Sequence, residues 1–90
     1  MLVALIARDR PGALQVRLDN RAAHLAYIEE TGVVKMAGPF LDEAGQMAGS
    51  LVILDVPDMA AARAWAEGDP YAKAGLFESV ELSTWKKVIG

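Results

Sequence analysis

The 90-residue chain contains no cysteine, which excludes disulfides, thiolate nucleophiles and every Cys-ligated zinc or iron–sulfur site. It has a single histidine, too little for a conventional transition-metal site, so no metal is expected. Basic residues are few and dispersed. Nine Lys and Arg stand against twelve Asp and Glu for a net charge of −3, and only Lys86 and Lys87 adjoin. No basic stripe follows a phosphodiester backbone, so a nucleic-acid partner is not expected. Long apolar runs are also missing. Met1 to Ala7 is too short for a membrane span or the core of a signal peptide, and Arg8-Asp9-Arg10 follows it on the wrong side for the latter. These absences lead to the expectation of a cytoplasmic, soluble protein with no membrane partner. No phosphate loop or dinucleotide fingerprint is present.

What the chain has is apolar material: hydrophobic residues make up 53% and the mean hydropathy is +0.22. Ninety residues suit one domain, because halves would approach the roughly 40 residues below which a core alone no longer suffices. The surplus of small and branched apolar residues hints at surface buried against a second copy.

The periodicities give an order β-α-β-β-α-β. Leu2 to Ala7 is a continuous apolar run of strand length, read as a central strand covered on both faces. Ala13 to Glu30 reads as a helix stopped by Gly32 in the left-handed conformation. Val33 to Phe40 is the second strand, with Gly38-Pro39 ending or bending it at a sheet edge, and Leu41 to Gln46 is the hairpin loop. Met47 to Val56 is the third strand. Gly49 within it leaves room for a ligand or a neighbouring backbone. Asp58 is a suitable N-cap for a helix from Met59 to Glu67 closed by Gly68, with Ala61, Ala62, Trp65 and Ala66 inward and Arg63 and Glu67 outward. Asp69-Pro70-Tyr71 forms a turn, Ala72 to Gly75 a short helical turn, and Leu76 to Val88 the last strand. Trp85 there falls on the opposite parity from Val80 and Leu82, which points to a bulge or an intersubunit contact.

Two split β-α-β units predict a ferredoxin-like α+β sandwich, one four-stranded antiparallel sheet with both helices on one face. Nothing in the chain covers the other face. The expected solution is a homodimer packed sheet against sheet.

The first helix carries the candidate chemistry. At ~100° per residue, Leu14, Leu18, Leu25 and Ile28 share one side, with Arg21 inside that arc and Arg17 and His24 along its edge. Charge bordering an apolar face suggests a polar cleft where helix meets sheet. His24 suits proton transfer near neutral pH; the competing reading is a packed or surface histidine. Asp69 could bond one His24 nitrogen and fix its tautomer, or it could only initiate the Asp-Pro turn and bond backbone amides. Arg17 and Arg21, one turn apart, could hold an anion, or could form ion pairs with Asp69, Asp19 or Glu residues. Ser50 lacks a nucleophile elbow and is read as a hydrogen-bond donor in the cleft. Tyr71 offers an aromatic wall with a hydroxyl, or a lid on the local core.

Taken together, the leading apolar strand, Arg17-x-x-x-Arg21-x-x-His24-Leu25, Ala37-Gly38-Pro39, Gly49-Ser50, Ala64-Trp65-Ala66, Asp69-Pro70-Tyr71, Ala74-Gly75 and Trp85-Lys86-Lys87-Val88 resemble the YciI-like (YCII-related) proteins. The resemblance covers nearly the whole chain. It implies a ferredoxin-like fold dimerising as an α+β barrel, related to muconolactone isomerase, with a His–Asp site that maps onto His24 and Asp69. It also implies proton-transfer chemistry of the kind a dehydrochlorinating relative performs on a chlorinated hydroxyhydroquinone. The loop between Phe40 and Met47 is short for the family, so substrate contacts made by that loop elsewhere do not carry over.

The leading expectation is therefore a cofactor-independent enzyme of lyase or isomerase type. In it His24 shuttles a proton, Asp69 orients it, Arg17 or Arg21 steadies an anionic small molecule or enolate, and Ser50 and Tyr71 line the site. The rival is a non-catalytic dimeric module that binds a small metabolite or a partner protein.

Overall fold

The apolar run near the N-terminus becomes strand β1, Leu2–Asp9, two residues longer than its hydrophobic part because Arg8 and Asp9 stay paired. The computed structural model describes residues 1–90. The other strands are β2, Val34–Leu41, β3, Met47–Asp55, and β4, Phe77–Trp85. They join β1 in one sheet of order β2-β3-β1-β4, and every pairing is antiparallel. Helices α1, Leu14–Thr31, α2, Met59–Gly68, and the short α3, Pro70–Lys73, complete the chain. This is the ferredoxin-like α+β fold, with β1 central and the helices on one face.

Side-chain alternation divides the sheet. Val3, Leu5 and Ala7 of β1 and Val52 and Leu54 of β3 meet Ala62 and Trp65 of α2 in the main core. The register sets Val3 opposite Leu54 and Leu5 opposite Val52. Residues of the other parity, among them Ile6, Leu51, Ile53, Met36 and Trp85, face the side without helices. At its middle Ile53 is buried by its sheet neighbours, but Met36 and Trp85 remain 52% and 41% exposed. No helix is long and apolar enough to cross a membrane.

Several local readings hold for the expected reasons. Gly32 ends α1 at φ 66°, its N–H bonding the Ile28 carbonyl at 3.2 Å. The Asp58 carboxylate caps α2 by accepting from the Ala61 N–H at 2.8 Å. At Gly49 a Cβ would lie 2.5 Å from the Ala7 carbonyl oxygen, so it is the neighbouring backbone that needs the glycine.

Others are corrected. Trp85 is not at a bulge: it pairs with Leu2 in unbroken register, and its parity simply places it on the open face. Strand β4 stops at Trp85, short of Val88, because its partner β1 has run back to Leu2 and offers little further backbone to pair. Gly68 does not close α2 in the left-handed conformation; it remains helical, and Asp69 is the C-cap at φ −62°. The apolar side assigned to α1 is not its buried side. Leu18 and Leu25 are each 46% exposed, whereas Arg17 and His24 are the buried residues of the helix. They are seven residues apart and so share a face, and that face lies where polar groups from the sheet and the α2–α3 junction can receive them.

Candidate active site

His24 meets Asp69 across the junction of α1 with the end of α2. Its Nδ1 lies 2.8 Å from Asp69 Oδ1, with both side chains buried. A carboxylate only accepts, so Nδ1 carries the proton and Nε2 is the free, basic nitrogen. No buried side-chain nitrogen or oxygen lacks a partner; Nε2 has none within the chain, so it is open to the cleft that the His24 ring lines. Asp69 is fixed by its place between two helices. Its Oδ1 also accepts the Tyr71 N–H at 3.0 Å, capping α3. One oxygen of Asp69 thus meets both the imidazole and the backbone amide of the turn.

Tyr71 packs beneath the pair. Its ring stacks on His24 with centroids 3.9 Å apart and planes 14° from parallel, and it belongs to a small core with Ala13 and Leu76. The Arg17 guanidinium sits 4.7 Å from the same ring. Burial raises the Tyr71 phenol above its ordinary pKa and outweighs the neighbouring positive charge of Arg17 and Arg21, which acts in the opposite direction. The hydroxyl therefore remains a neutral donor through neutral and moderately alkaline pH.

The ion-pair partner of Arg17 is Asp9, rather than Asp69, Asp19 or a Glu. Arg17 Nε and Nη2 each donate to one Asp9 oxygen at 2.8 Å, and Nη2 also donates to Ser50 Oγ at 2.9 Å. Burial by itself would depress the guanidinium, but the Asp9 hydrogen bonds and charge prevail and hold its pKa above the usual arginine value. Because Ser50 Oγ accepts from Arg17, its own hydrogen is free to donate into the cleft. The sequence does not mark Asp9 as a site residue, because Arg8-Asp9-Arg10 reads as a charged boundary. The available signal was strand parity: Asp9 continues the series Val3, Leu5, Ala7, all of which face the helices.

These groups surround a cleft of about 150 Å³ between α1 and the β2–β3 edge, lined by Arg17, Arg21, His24, Ser50 and Tyr71 on its polar side and by Leu25, Ile28, Pro39, Met47 and Val52 on its apolar side. Asp69 stands behind His24 and does not line it. Arg21 is exposed and has no carboxylate within ion-pair distance. With Arg17 matched by Asp9, Arg21 gives the cleft a net positive charge. No cluster of three or more His, Asp or Glu side chains is placed to hold a metal. The arrangement can accept a proton at Nε2 and steady negative charge elsewhere in the same cleft.

Comparison with known proteins agrees in sequence and in shape. Protein YciI of Escherichia coli O6:H1 is 38% identical over 97 aligned positions, covering 98% of this chain and 99% of its own. The alignment is longer than this 90-residue chain, so that relative carries residues this chain lacks. The structure of 5-chloro-2-hydroxyhydroquinone dehydrochlorinase from Burkholderia phenoliruptrix AC1100, solved in complex with 2,5-dihydroxybenzoquinone, superposes with a TM-score of 0.87 at 39% identity, covering 96% of this chain and 94% of that one. An antibiotic biosynthesis monooxygenase, at 14% identity and a TM-score of 0.61 over 99% of this chain and 100% of its own, shares the fold alone. The model of the YCII-related domain matches residues 1–86, and with the near full-length identity to protein YciI this places the chain in the YCII-related family.

Proposed function

We propose that this protein is a cofactor-independent acid–base enzyme of lyase or isomerase type, acting in the cytoplasm on a small, anionic, enolisable molecule. The observation that carries the reading is the 2.8 Å His24–Asp69 bond, which leaves Nε2 as the one basic nitrogen open to a cationic cleft. Nε2 takes a proton from a substrate carbon or hydroxyl while Asp69 balances the charge that appears on the ring. In an elimination, the C–H electron pair becomes the new π bond and the leaving group departs with its own pair. In an isomerisation, His24 returns the proton at a second carbon. Arg17, Arg21 and the Ser50 hydroxyl steady the enolate oxygen, and Tyr71 holds the imidazole plane.

The cleft volume supports a one-ring substrate, since an engineered cavity of roughly this size holds benzene. The likeness to a dehydrochlorinase supports elimination from a chlorinated hydroxyquinol. The uncovered apolar sheet face supports a working homodimer packed sheet to sheet, which leaves the helix-side cleft open.

The test is chloride release from 5-chloro-2-hydroxyhydroquinone, with solvent-deuterium incorporation into hydroxylated quinols as the readout for isomerisation. His24→Ala is expected to lower kcat by about 10²- to 10⁴-fold, the range for loss of a positioned acid–base group. Asp69→Asn should lower kcat with little change in KM, because Asp69 does not line the cleft. Turnover that survives both substitutions removes the dyad. Ligand binding without turnover in the wild-type protein establishes the binding-module alternative in its place.

A further inference from the structure

We infer that Tyr27 and Gly68 form a spacer that sets the His24–Asp69 pair, the Tyr27 hydroxyl occupying the volume that any side chain at Gly68 would need. Tyr27 lies three residues after His24 on α1, and Gly68 immediately precedes Asp69 at the end of α2. The same two elements are thus joined twice, once through the imidazole and carboxylate and once through the phenol and glycine. Tyr27 Oη donates to the Trp65 carbonyl at 2.8 Å. Trp65 Nε1 donates back to Thr31 Oγ1 at 2.8 Å, and that hydroxyl donates to the Tyr27 carbonyl at 2.8 Å. The loop of bonds begins and ends on Tyr27 and locks the C-terminal turn of α2 against α1.

The glycine is not there for its backbone freedom. Its conformation is helical, where alanine would be favoured by about 1 kcal/mol, and only space argues against a side chain. A Cβ built on Gly68 falls 2.5 Å from Tyr27 Oη and 3.2 Å from Cζ. To relieve that contact, Tyr27 or the end of α2 must shift, and Asp69 is the next residue. Neither Tyr27 nor Gly68 lines the cleft. The spacer therefore acts through Asp69 as a positioning device, and this role rests on the catalytic reading of the His24–Asp69 pair.

The chain's single histidine allows the pair to be read without a substrate. In uniformly ¹⁵N-labelled protein the imidazole nitrogens should report a proton on Nδ1 and none on Nε2 at a pH where the ring is neutral. Gly68→Ala is expected to replace this with mixed tautomers and a faster-exchanging Nδ1 proton. It should also lower kcat roughly 10- to 100-fold, the cost of misplacing a catalytic group by about an ångström, with KM nearly unchanged. Tyr27→Phe, which loses the bond to Trp65 but adds no atom, should show a smaller change of the same kind. Adding Tyr27→Phe to Gly68→Ala should bring the tautomer signature most of the way back toward that of Tyr27→Phe alone, because the 2.5 Å contact goes with the hydroxyl and only the 3.2 Å contact with Cζ remains.

A wild-type signature in folded Gly68→Ala overturns the proposal, as does a double variant no better than Gly68→Ala. If Gly68→Ala does not fold, Tyr27→Phe decides, and an unchanged signature there overturns it. Failure of the catalytic reading looks different: turnover then survives His24→Ala and Asp69→Asn, whatever the tautomer signature in the spacer variants.

Discussion

Each of the two most consequential side chains of the site is held by an acid from outside its own helix. Asp69 is 45 residues from His24, and Asp9 precedes Arg17 by eight. The Arg17–Asp9 bridge is almost fully buried on both sides, so removing one partner leaves an uncompensated charge. Asp9→Asn is therefore expected to destabilise the protein by about 3 kcal/mol in urea denaturation. Combining it with Arg17→Met should cost less than the sum of the two single changes, because the stranded charge goes too. Strictly additive costs would mean that the bridge is not the coupled unit described. The two tyrosines are coupled to stability as well. Burial raises Tyr71, and burial raises Tyr27 with the Asp69 charge adding to it. A phenol whose folded pKa exceeds its unfolded value near 10 contributes stability that is fully present below that value and is lost as pH climbs through the folded pKa. Ultraviolet titration should show both tyrosines ionising later than free tyrosine, with global stability declining above about pH 10. Ordinary tyrosinate absorbance in the still-folded protein would contradict this placement.

Among the elements, α1 is where pattern and structure part. An apolar arc read at helical spacing puts Leu18 inside, yet it is half exposed while Arg17 beside it is buried. Leu18→Ala should thus change stability by less than about 1 kcal/mol, against roughly 2–5 kcal/mol for Leu54→Ala in the main core. Chemical denaturation of the two variants side by side checks the assignment, and equal losses would restore the apolar-arc reading. The strands were legible because both the apolar run of β1 and the alternation of β4 follow from pairing in a sheet, which is a local rule. The order of elements, the Asp58 cap and the Gly32 stop were legible for the same reason. What periodicity cannot express is a helix face held by polar partners, since the partners come from other elements. Asp9 supplies the acid for Arg17, Ser50 the acceptor and Asp69 the anchor for His24, and none of them lies on α1. Gly68 shows the limit in another form: a glycine at a helix end reads as a cap, while its reason here is the phenol of Tyr27.

The whole molecule has one covered sheet face and one uncovered. The covered face carries the cleft, so assembly through the other leaves the proposed chemistry accessible in both copies. In the isolated chain the central residues of the open face are shielded only by their sheet neighbours. Leu51 lies at that centre, paired with Ile6 on β1 and Gly38 on β2. In a lone subunit a glutamate at this position would project into water at little cost. In a sheet-to-sheet dimer the same carboxylate would be buried without a partner, a penalty of several kcal/mol counted twice across the two-fold axis. Sedimentation velocity is expected to give a wild-type particle of about twice the 9.6 kDa chain mass and a Leu51→Glu particle near the chain mass. Circular dichroism and the His24 imidazole signature should be unchanged in the variant, because Leu51 points away from α1 and does not line the cleft. A wild-type protein that sediments as a monomer at micromolar concentration would leave the open face solvated and remove the dimer from the proposed function. A Leu51→Glu protein that remains dimeric would move the interface to another surface.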